Sequence, residues 1–353
     1  MRICLTCASG ALKQQEGFFL KNYSKYKNNI DLIGADIYPK KINRRIFDYP
    51  IRLLKPNNQN YMNRLLEMIR KYKIQIIIVN SDKEAIKITK NIKKISKYKC
   101  KVLLNKFSTI RILSNKILTY RSLASIKKII PEWKEVKNEK ILKLTLKRFM
   151  YKFGSAVIKP AVSAGGRDVF IIEKKNKKKK NRIGRMKEVN YKEFLSKYLK
   201  KIKKKFPLIV MEKLYEPIFD LDILSSKGKI INAVFRKRII PKDPNSGHKI
   251  IYNKQILSSA MKISKLLNLN YINDCDFMID RNKNFKLLEI NPRPSGSLAV
   301  PHIAGFPILD NLLDFCLGGK NFTKASFFKK NVTISKKRIN NYIFQNNNFF
   351  LPT

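Results

Sequence analysis

Two neighbouring stretches of alternating apolar and polar residues carry a cluster of acidic side chains. They run from 273 to 280 and from 285 to 291, and residues 281–284 between them are typical of a turn. Such alternation predicts an antiparallel β-hairpin in which every second side chain points to the same face. One face would then carry carboxylates and an amide, whose oxygens are the ligands that hard divalent cations bind.

The register of this hairpin decides which acids face one another. An antiparallel pairing that closes at the turn places Asp276 opposite Glu289, and Asp274 opposite Asn291. Opposed carboxylates repel, so this face favours a bound cation, and few hard oxygen ligands suit Mg²⁺, for which Mn²⁺ can substitute. The alternative is a solvated face with scattered acids. Only 25 of the 353 residues are acidic, which favours the metal site.

A second segment could bind phosphate groups. Lys159 ends an apolar run, and the small-residue loop Ser163-Ala164-Gly165-Gly166 follows it. Backbone N–H groups of such a loop can bind phosphate oxygens, and the lysine supplies a positive charge. The segment matches neither a Walker A motif nor a GxGxxG turn. Taken alone, it is equally typical of a glycine hairpin loop.

A third segment is an apolar strand that ends in Met211-Glu212-Lys213-Leu214. The backbone of such a strand end can contact a base such as adenine, and nearby acids can contact a ribose. By itself this segment indicates no particular function.

The first hundred residues predict a frame for such sites. Apolar runs at 2–6, 31–36 and 74–79 alternate with helical spacing at 13–26 and 61–72. Continuous apolar strands that alternate with helices indicate a parallel sheet covered on both faces.

The pattern changes further along the chain. Residues 106–150 predict helices, whereas the chain from residue 155 predicts mostly strands, interrupted by a Lys-rich insert at 174–205 with helical spacing at 191–202. The polar tail has one weak strand candidate at 332–335. The predicted strands after residue 155 are 156–159, 168–172, 208–213, 220–225, 230–235 and 274–280.

The order and spacing of these segments resemble the ATP-grasp superfamily, in particular the carbamoyl-phosphate synthase large subunit and the carboxylate–amine ligase branch. The most specific part is the run Glu-Ile-Asn-Pro-Arg-Pro-Ser-Gly from Glu289 to Gly296. The resemblance implies an α/β pre-ATP-grasp domain with a parallel sheet at 1–105. It further implies a two-lobed α+β ATP-grasp domain at 106–320, which contains the insert, and a C-terminal tail at 321–353.

The resemblance also implies roles for individual residues. Those that would contact ATP are Lys116, Lys159, Ser163, Ala164, Gly165, Gly166, Met211, Glu212, Lys213 and Leu214. The implied metal ligands are Asp276, Glu289 and Asn291, and the implied catalytic arginines are Arg293, Arg236 and Arg238. Family members often carry a glutamate as the ribose ligand where this chain has Ile218, and Glu216 or Asp220 could take its place.

The implied function is an ATP-dependent, ADP-forming ligase with ATP and Mg²⁺ as cofactors. It would convert a carboxylate to an acyl phosphate and join it to an amine or a similar nucleophile. One alternative keeps the fold but phosphorylates carbamate, as carbamoyl-phosphate synthase does. The other is a basic nucleic-acid-associated protein with a vestigial nucleotide site.

Composition bears on these alternatives. The chain has 76 Lys and Arg against 25 Asp and Glu, a formal net charge of +51, which fits a polyanion partner. However, the basic runs 174–180 and 200–205 contain no aromatic residues, whereas nucleic-acid sites combine basic and stacking side chains. This argues against a specific nucleic-acid partner. No apolar run is long enough to span a membrane and no secretory signal is recognisable, so we expect a cytoplasmic location.

Overall fold

The computed structural model describes residues 1–163, 166–174, 182–183, 186–241, 243–318, 326–327 and 332–335. The strands are β1 (Arg2–Thr6), β2 (Asp31–Asp36), β3 (Tyr49–Arg52), β4 (Ile76–Ile78), β5 (Lys101–Val102), β6 (Trp133–Val136), β7 (Ser155–Pro160), β8 (Phe170–Glu173), β9 (Arg182–Ile183), β10 (Met186–Asn190), β11 (Leu208–Met211), β12 (Tyr215–Ser226), β13 (Lys229–Ile240), β14 (Asp243–Ile251), β15 (Tyr271–Ile279), β16 (Phe285–Asn291), β17 (Ser326–Phe327) and β18 (Val332–Ser335).

The α-helices are α1 (Ala11–Asn22), α2 (Tyr61–Lys71), α3 (Asp82–Lys90), α4 (Ile92–Ser96), α5 (Phe107–Leu113), α6 (Lys116–Ser122), α7 (Glu139–Phe153), α8 (Tyr191–Glu193), α9 (Leu199–Ile202), α10 (Lys254–Leu267), α11 (Ala299–Ile303) and α12 (Ile308–Leu317). Short 3-10 segments are Lys27–Asn29, Pro39–Lys41, Ala124–Ile129 and Lys203–Lys205, and Phe194–Tyr198 forms a π-helical turn. In the described part of the chain, no helix has both the length and the apolar character needed to cross a membrane.

The chain divides into two compact units. The first unit contains residues 1–111, 220–275 and 290–353, and the second unit contains residues 112–219 and 276–289. The predicted domain boundaries at 105/106 and 320/321 stay predictions. The mixed α/β fold class is confirmed.

The first unit contains the predicted parallel sheet. Its strands run in the order β3-β2-β1-β4-β5, and every neighbouring pair is parallel. Cys4 at the centre of β1 aligns with Ile33 on β2 and Ile77 on β4, and all three side chains are fully buried. Helices cover both faces of this sheet, and this explains why its strands are continuous apolar runs in the sequence.

A further sheet has its strands in the order β16-β15-β12-β13-β14-β18, with β17 beside β13, and of these strands β13, β14, β17 and β18 lie wholly in the first unit. β13 and β14 are antiparallel, and Arg236 aligns with Ile250. This register places the Arg236 side chain in the interior, where it is 1% exposed.

The second unit is built on a six-stranded sheet in the order β6-β11-β7-β8-β10-β9. Lys159 on β7 aligns with Ile209 on the antiparallel strand β11. Helix α7 packs its buried residues Leu142, Leu146 and Phe149 into the core of this unit. The prediction of helices throughout 106–150 is wrong at one place, because β6 lies there and pairs with β11.

The Lys-rich insert is described only in part, since residues 175–181 and 184–185 lie outside the described residues. The predicted helix at 191–202 is confirmed as a run of α8, the π-helical turn and α9. Its apolar residues Phe194, Leu199 and Ile202 are buried in the core of the second unit.

Candidate functional site

The predicted acidic hairpin is present as β15 and β16. At its turn, the Asp280 N–H donates to Asn284 O at 3.0 Å. Near the other end, Asn291 Nδ2 donates to Asp274 Oδ2 at 3.2 Å. This contact agrees with the predicted register, which places Asp274 opposite Asn291.

The acids on β15 are buried. Asp274, Asp276 and Asp280 are 6%, 7% and 7% exposed, respectively. The burial of these three acids argues against a solvated face on β15, whereas Glu289 on β16 is 28% exposed. Burial raises the pKa of Asp274, and the neighbouring charges of Asp222 and Asp220 raise it further. Carboxylates removed from water need a compensating charge or hydrogen bond, and a cation is one way to supply it.

Three predicted residues of the second unit converge around the phosphate-binding segment. Lys116 is the first residue of α6, and its Nζ donates to Ser163 O at 2.6 Å and lies 3.3 Å from Glu289 Oε2. Lys159 on β7 is 4% exposed. Its pKa is lowered to about 7, because burial disfavours the ammonium and Lys116 repels it, while the charge of Glu289 opposes both.

The capping of α6 fixes the backbone of Lys116. The Asn115 side chain accepts hydrogen bonds from the N–H groups of Ile117 and Leu118, at 3.0 and 3.2 Å. The Lys116 N–H donates to Ala161 O at 2.9 Å, just after β7. An N-cap of this kind satisfies N–H groups that the helix itself leaves unpaired. The start of α6 is thereby tied to the loop that follows Lys159.

The predicted glycine loop is described at its two ends, while Ala164 and Gly165 lie outside the described residues. Gly166 has a φ of +69°, and a Cβ at this position would lie 3.3 Å from Met186 Cγ. A positive φ disfavours any side chain, so the backbone requires glycine here. Just beyond the loop, Asp168 is paired with Lys205.

The segment predicted to contact adenine lies at the end of β11. The Glu212 N–H donates to Glu132 O at 3.0 Å, and the Glu132 N–H donates to Glu212 Oε1 at 2.7 Å. Lys213 is paired with Glu173, while Met211 and Leu214 are buried. Glu132 already uses the backbone N–H of Glu212, so any base contact from this segment must come from other groups. The adenine role of these four residues stays a prediction.

Arg236 lies in a buried network of the first unit. Its Nε donates to Asp222 Oδ2 at 2.7 Å and its Nη2 donates to Ser295 Oγ at 2.8 Å. Its Nη1 lies 3.2 Å from His248 Nε2. In this structure the guanidinium therefore contacts groups of its own chain, and the predicted contact of Arg236 with substrate stays a prediction.

Arg238 donates to Asp220 from two nitrogens: Nε lies 2.9 Å from Oδ2 and 3.1 Å from Oδ1, and Nη2 donates to Oδ1. Burial alone would raise the pKa of Asp220, but hydrogen bonds from His248 and Arg238 and the charge of Arg236 hold it well below its usual value. A carboxylate engaged in this way is less available as a ribose ligand than the exposed Glu216.

Arg293 contacts the start of α3. Its Nε donates to Asp82 Oδ1 at 3.1 Å and its Nη1 donates to Pro294 O at 2.9 Å. The side chain is 21% exposed, so part of the guanidinium remains open to solvent. Its predicted role toward a phosphoryl or acyl group stays a prediction.

A family model described as "ATP-grasp in the biosynthetic pathway with Ter operon" matches residues 204–338. The structure of an L-amino acid ligase from Bacillus licheniformis superposes with a TM-score of 0.62 at 11% identity, over 91% of this chain and 76% of that chain. Residues 204–338 are therefore similar to an ATP-grasp family, and the chain shares its fold with this ligase. A search of curated protein sequences finds no match.

Two further structures share the fold of this chain. A biotin carboxylase from Campylobacter jejuni in complex with β,γ-ATP has a TM-score of 0.64 at 13% identity, over 89% of this chain and 70% of that one. An N5-carboxyaminoimidazole synthetase from Staphylococcus aureus complexed with ADP has a TM-score of 0.57 at 14% identity, over 84% of this chain and 71% of that one.

The structure adds residues that the sequence analysis missed. Tyr120 is buried and contacts Lys159, and the ring centroids of Tyr120 and Trp133 are 5.5 Å apart. The signal for Tyr120 was present, since it follows Lys116 by one helical turn. The contact with Trp133 was not predictable, because β6 was missed. The contacts of Arg236 with Asp222, Ser295 and His248 were also missed, because no local sequence pattern indicates them.

The Arg236 network gives a stability prediction. Replacing Arg236 with leucine should lower the free energy of unfolding by about 3–5 kcal/mol, because it leaves buried carboxylates without their counter-charge. Denaturant unfolding measures the change, and Arg44→Leu, at an exposed position, serves as the control. A loss below about 1 kcal/mol would show that the network contributes little to folding.

Proposed function

We propose that this chain is an ATP-grasp enzyme, an ATP-dependent, ADP-forming ligase that activates a carboxylate as an acyl phosphate and joins it to an amine. The observation that carries the proposal is the convergence of Lys116, Lys159 and Glu289 in the second unit. The two ammonium groups face one carboxylate in a largely buried setting. A metal-bound polyphosphate would supply the further negative charge that pairs with the lysines.

The donor set fits Mg²⁺. Asp276 and Glu289 provide hard carboxylate oxygens, and Asn291 lies two residues after Glu289, so it points to the same face of β16. When bound, the ion would neutralise charge on the phosphate oxygens. These three residues are the metal ligands that the family resemblance implies.

The residues of the chain have the following parts in the reaction. Lys159 and Lys116 bind phosphate oxygens, and we assign backbone N–H contacts with them to Ser163 and Gly166, the two described ends of the loop. A carboxylate oxygen of the substrate attacks the γ-phosphorus, and ADP leaves. The amine then attacks the acyl carbon, inorganic phosphate leaves, and the amine loses a proton. Arg293 stabilises charge during transfer, since phosphoryl transfer depends on positioning and charge neutralisation.

Relatives of the fold support this proposal. The structural neighbours include an L-amino acid ligase, a biotin carboxylase with β,γ-ATP and a synthetase with ADP. Each is a likeness below 15% identity, so the substrate pair of this protein is decided by experiment.

The test is an ADP-release screen over a library of carboxylates and amines, run with and without Mg²⁺. Hydroxylamine replaces the amine in a parallel series and traps an acyl phosphate as a hydroxamate. We expect one class of carboxylate to stimulate ADP release and to yield hydroxamate. ADP release with bicarbonate and ammonia alone would favour the carbamate reaction. Retention on DNA without ATP turnover would favour the nucleic-acid alternative.

A further inference from the structure

Helix α6 presents a tyrosine beside Lys116. Tyr120 follows Lys116 by four residues, and side chains at this spacing lie on one face of a helix. Tyr120 is 1% exposed, and its hydroxyl donates to Leu288 O at 2.7 Å. Leu288 immediately precedes Glu289 on β16. The tyrosine therefore holds the peptide group that carries the backbone of Glu289.

The same hydroxyl also contacts Lys159. Lys159 Nζ lies 3.4 Å from the Tyr120 hydroxyl and 5.5 Å from the centroid of its ring. A phenol donates one hydrogen bond and accepts others, so it can serve a carbonyl and an ammonium together. The ring face also attracts the cation. Burial and the charge of Glu289 raise the pKa of Tyr120, so the hydroxyl keeps the proton that it donates.

We propose that Tyr120 is a positioning residue of the nucleotide site, which sets the place of both the Glu289 backbone and the Lys159 ammonium. The inference rests on the proposed function in one respect, which is that Lys159 and Glu289 bind a metal–nucleotide complex. It goes beyond that function because it assigns a role to Tyr120, which acts through its contacts with Leu288 and Lys159. Its effect on binding passes through the two residues that it holds.

The chain contains a built-in reporter for this inference. Trp133 is the single tryptophan of the sequence. Its ring centroid lies 5.5 Å from that of Tyr120, with an interplanar angle of 55°. Trp133 also aligns with Met211 in the pairing of β6 with β11. Its fluorescence can therefore follow nucleotide binding without any carboxylate or amine.

The experiment compares wild type with Tyr120→Phe, Tyr120→Leu and Tyr151→Phe. Tyr120→Phe keeps the ring and removes the hydroxyl, which leaves the Leu288 carbonyl without this donor. Tyr151 is 89% exposed on α7 of the same unit and gives the matched control. Trp133 fluorescence is titrated with MgADP, and then with Mg²⁺ at fixed ADP. Thermal melting without ligand records the effect of each change on folding.

We expect Tyr120→Phe to weaken MgADP binding about tenfold, which corresponds to the loss of one buried hydrogen-bonding group. The half-saturating Mg²⁺ concentration at fixed ADP should rise as well, because Glu289 loses its fixed position. Tyr120→Leu should be at least as weak, and Tyr151→Phe should match wild type. A purely structural role would lower the melting temperature and leave both titrations unchanged, and this result would overturn the inference.

The outcomes separate the inference from the proposed function. If Tyr120→Phe loses MgADP affinity while the ADP-release screen finds no carboxylate, the inference stands and the ligase assignment fails. If wild type itself does not bind MgADP, both fail. If Tyr120→Phe binds MgADP and Mg²⁺ as wild type does, the inference alone fails.

Discussion

Glu289→Gln is expected to lower turnover by at least about a hundredfold. Glutamine keeps the shape of the side chain and its capacity for hydrogen bonds, but it removes one anionic ligand from the proposed metal site. Losing a group that positions charge in a phosphoryl-transfer site costs on the order of a hundredfold to a thousandfold in rate. Steady-state ADP release at saturating substrate measures the effect.

The same variant gives a test by melting. Repulsion between opposed hairpin carboxylates alone predicts a gain in stability without Mg²⁺. An ion pair offsets part of that gain. In wild type Lys116 Nζ lies 3.3 Å from Glu289 Oε2, and the variant loses this ion pair. We therefore expect little change in melting without the metal. The stabilisation that Mg²⁺ and nucleotide add to wild type should largely disappear, since it follows their affinity.

Glu67→Gln is the matched control for this prediction. Glu67 lies on α2, its side chain is 49% exposed, and it is paired with Arg64. An exposed pair of this kind contributes about 0–1 kcal/mol, so activity and Mg²⁺-dependent melting should both remain as in wild type. Normal turnover and normal Mg²⁺-dependent melting in Glu289→Gln would end the metal assignment.

The sequence predicted best where a local pattern determines the structure. β1 and β2 occupy the predicted ranges because their apolar runs are buried on both faces. The acidic hairpin was predictable because its alternation and its turn lie within about twenty residues. Even the contact of Asn291 with Asp274 followed from counting residues back from the turn.

Two elements of the first unit were missed for different reasons. Helix α10 was within reach of the sequence, since Ile256, Ala260 and Ile263 have helical spacing and are buried. Strand β14 was not, because it contains Pro244 and Gly247, which usually disfavour a strand. It forms nevertheless because β13 and β18 supply pairing partners on both sides.

The buried polar networks show the limit of local patterns. Arg236 donates hydrogen bonds to Asp222 and Ser295, which are 14 and 59 residues away in the sequence. No local sequence pattern in either segment predicts these contacts. The position of Arg236 as a candidate arginine came from the family resemblance. Its contacts with Asp222 on β12 and His248 on β14 follow from the position of β13 between these strands, whereas Ser295 lies in the segment after β16. A sequence pattern can therefore identify a candidate functional residue without predicting which groups form its hydrogen bonds.

Lys159→Met is expected to weaken ATP binding by about tenfold to a hundredfold while the fold survives. Methionine keeps an aliphatic side chain of similar length, but it removes the charge that binds phosphate oxygens, and hydrogen bonds to charged groups contribute about 1.5–3 kcal/mol. Titration calorimetry measures the affinity. Lys147→Met, at an exposed position of α7 in the same unit, is the control and should bind ATP as wild type does.

The pH dependence of the free energy of unfolding, compared between wild type and this variant, gives a second test of the environment of Lys159. The pKa of Lys159 is lowered to about 7 from its usual 10.5, because of burial first and then repulsion by Lys116. The unfolded chain therefore binds more protons between about pH 7 and 10.5, so the free energy of unfolding of wild type rises with pH across this window. Lys159→Met has no such group, and below pH 7 it should be more stable than wild type, with the difference shrinking as the pH rises.

ATP binding should show the opposite trend with pH. The phosphates require the protonated lysine, so wild-type affinity should fall as the pH rises above about 7, and binding at pH 8 should take up close to one proton. Calorimetry in two buffers of different ionisation enthalpy counts that proton. Lys159→Met should show neither the uptake nor this fall in affinity. A variant that loses stability at pH 6 and keeps wild-type ATP affinity would instead identify Lys159 as an ordinary core lysine at the end of a strand, and the phosphate assignment of the neighbouring loop would lose its main support.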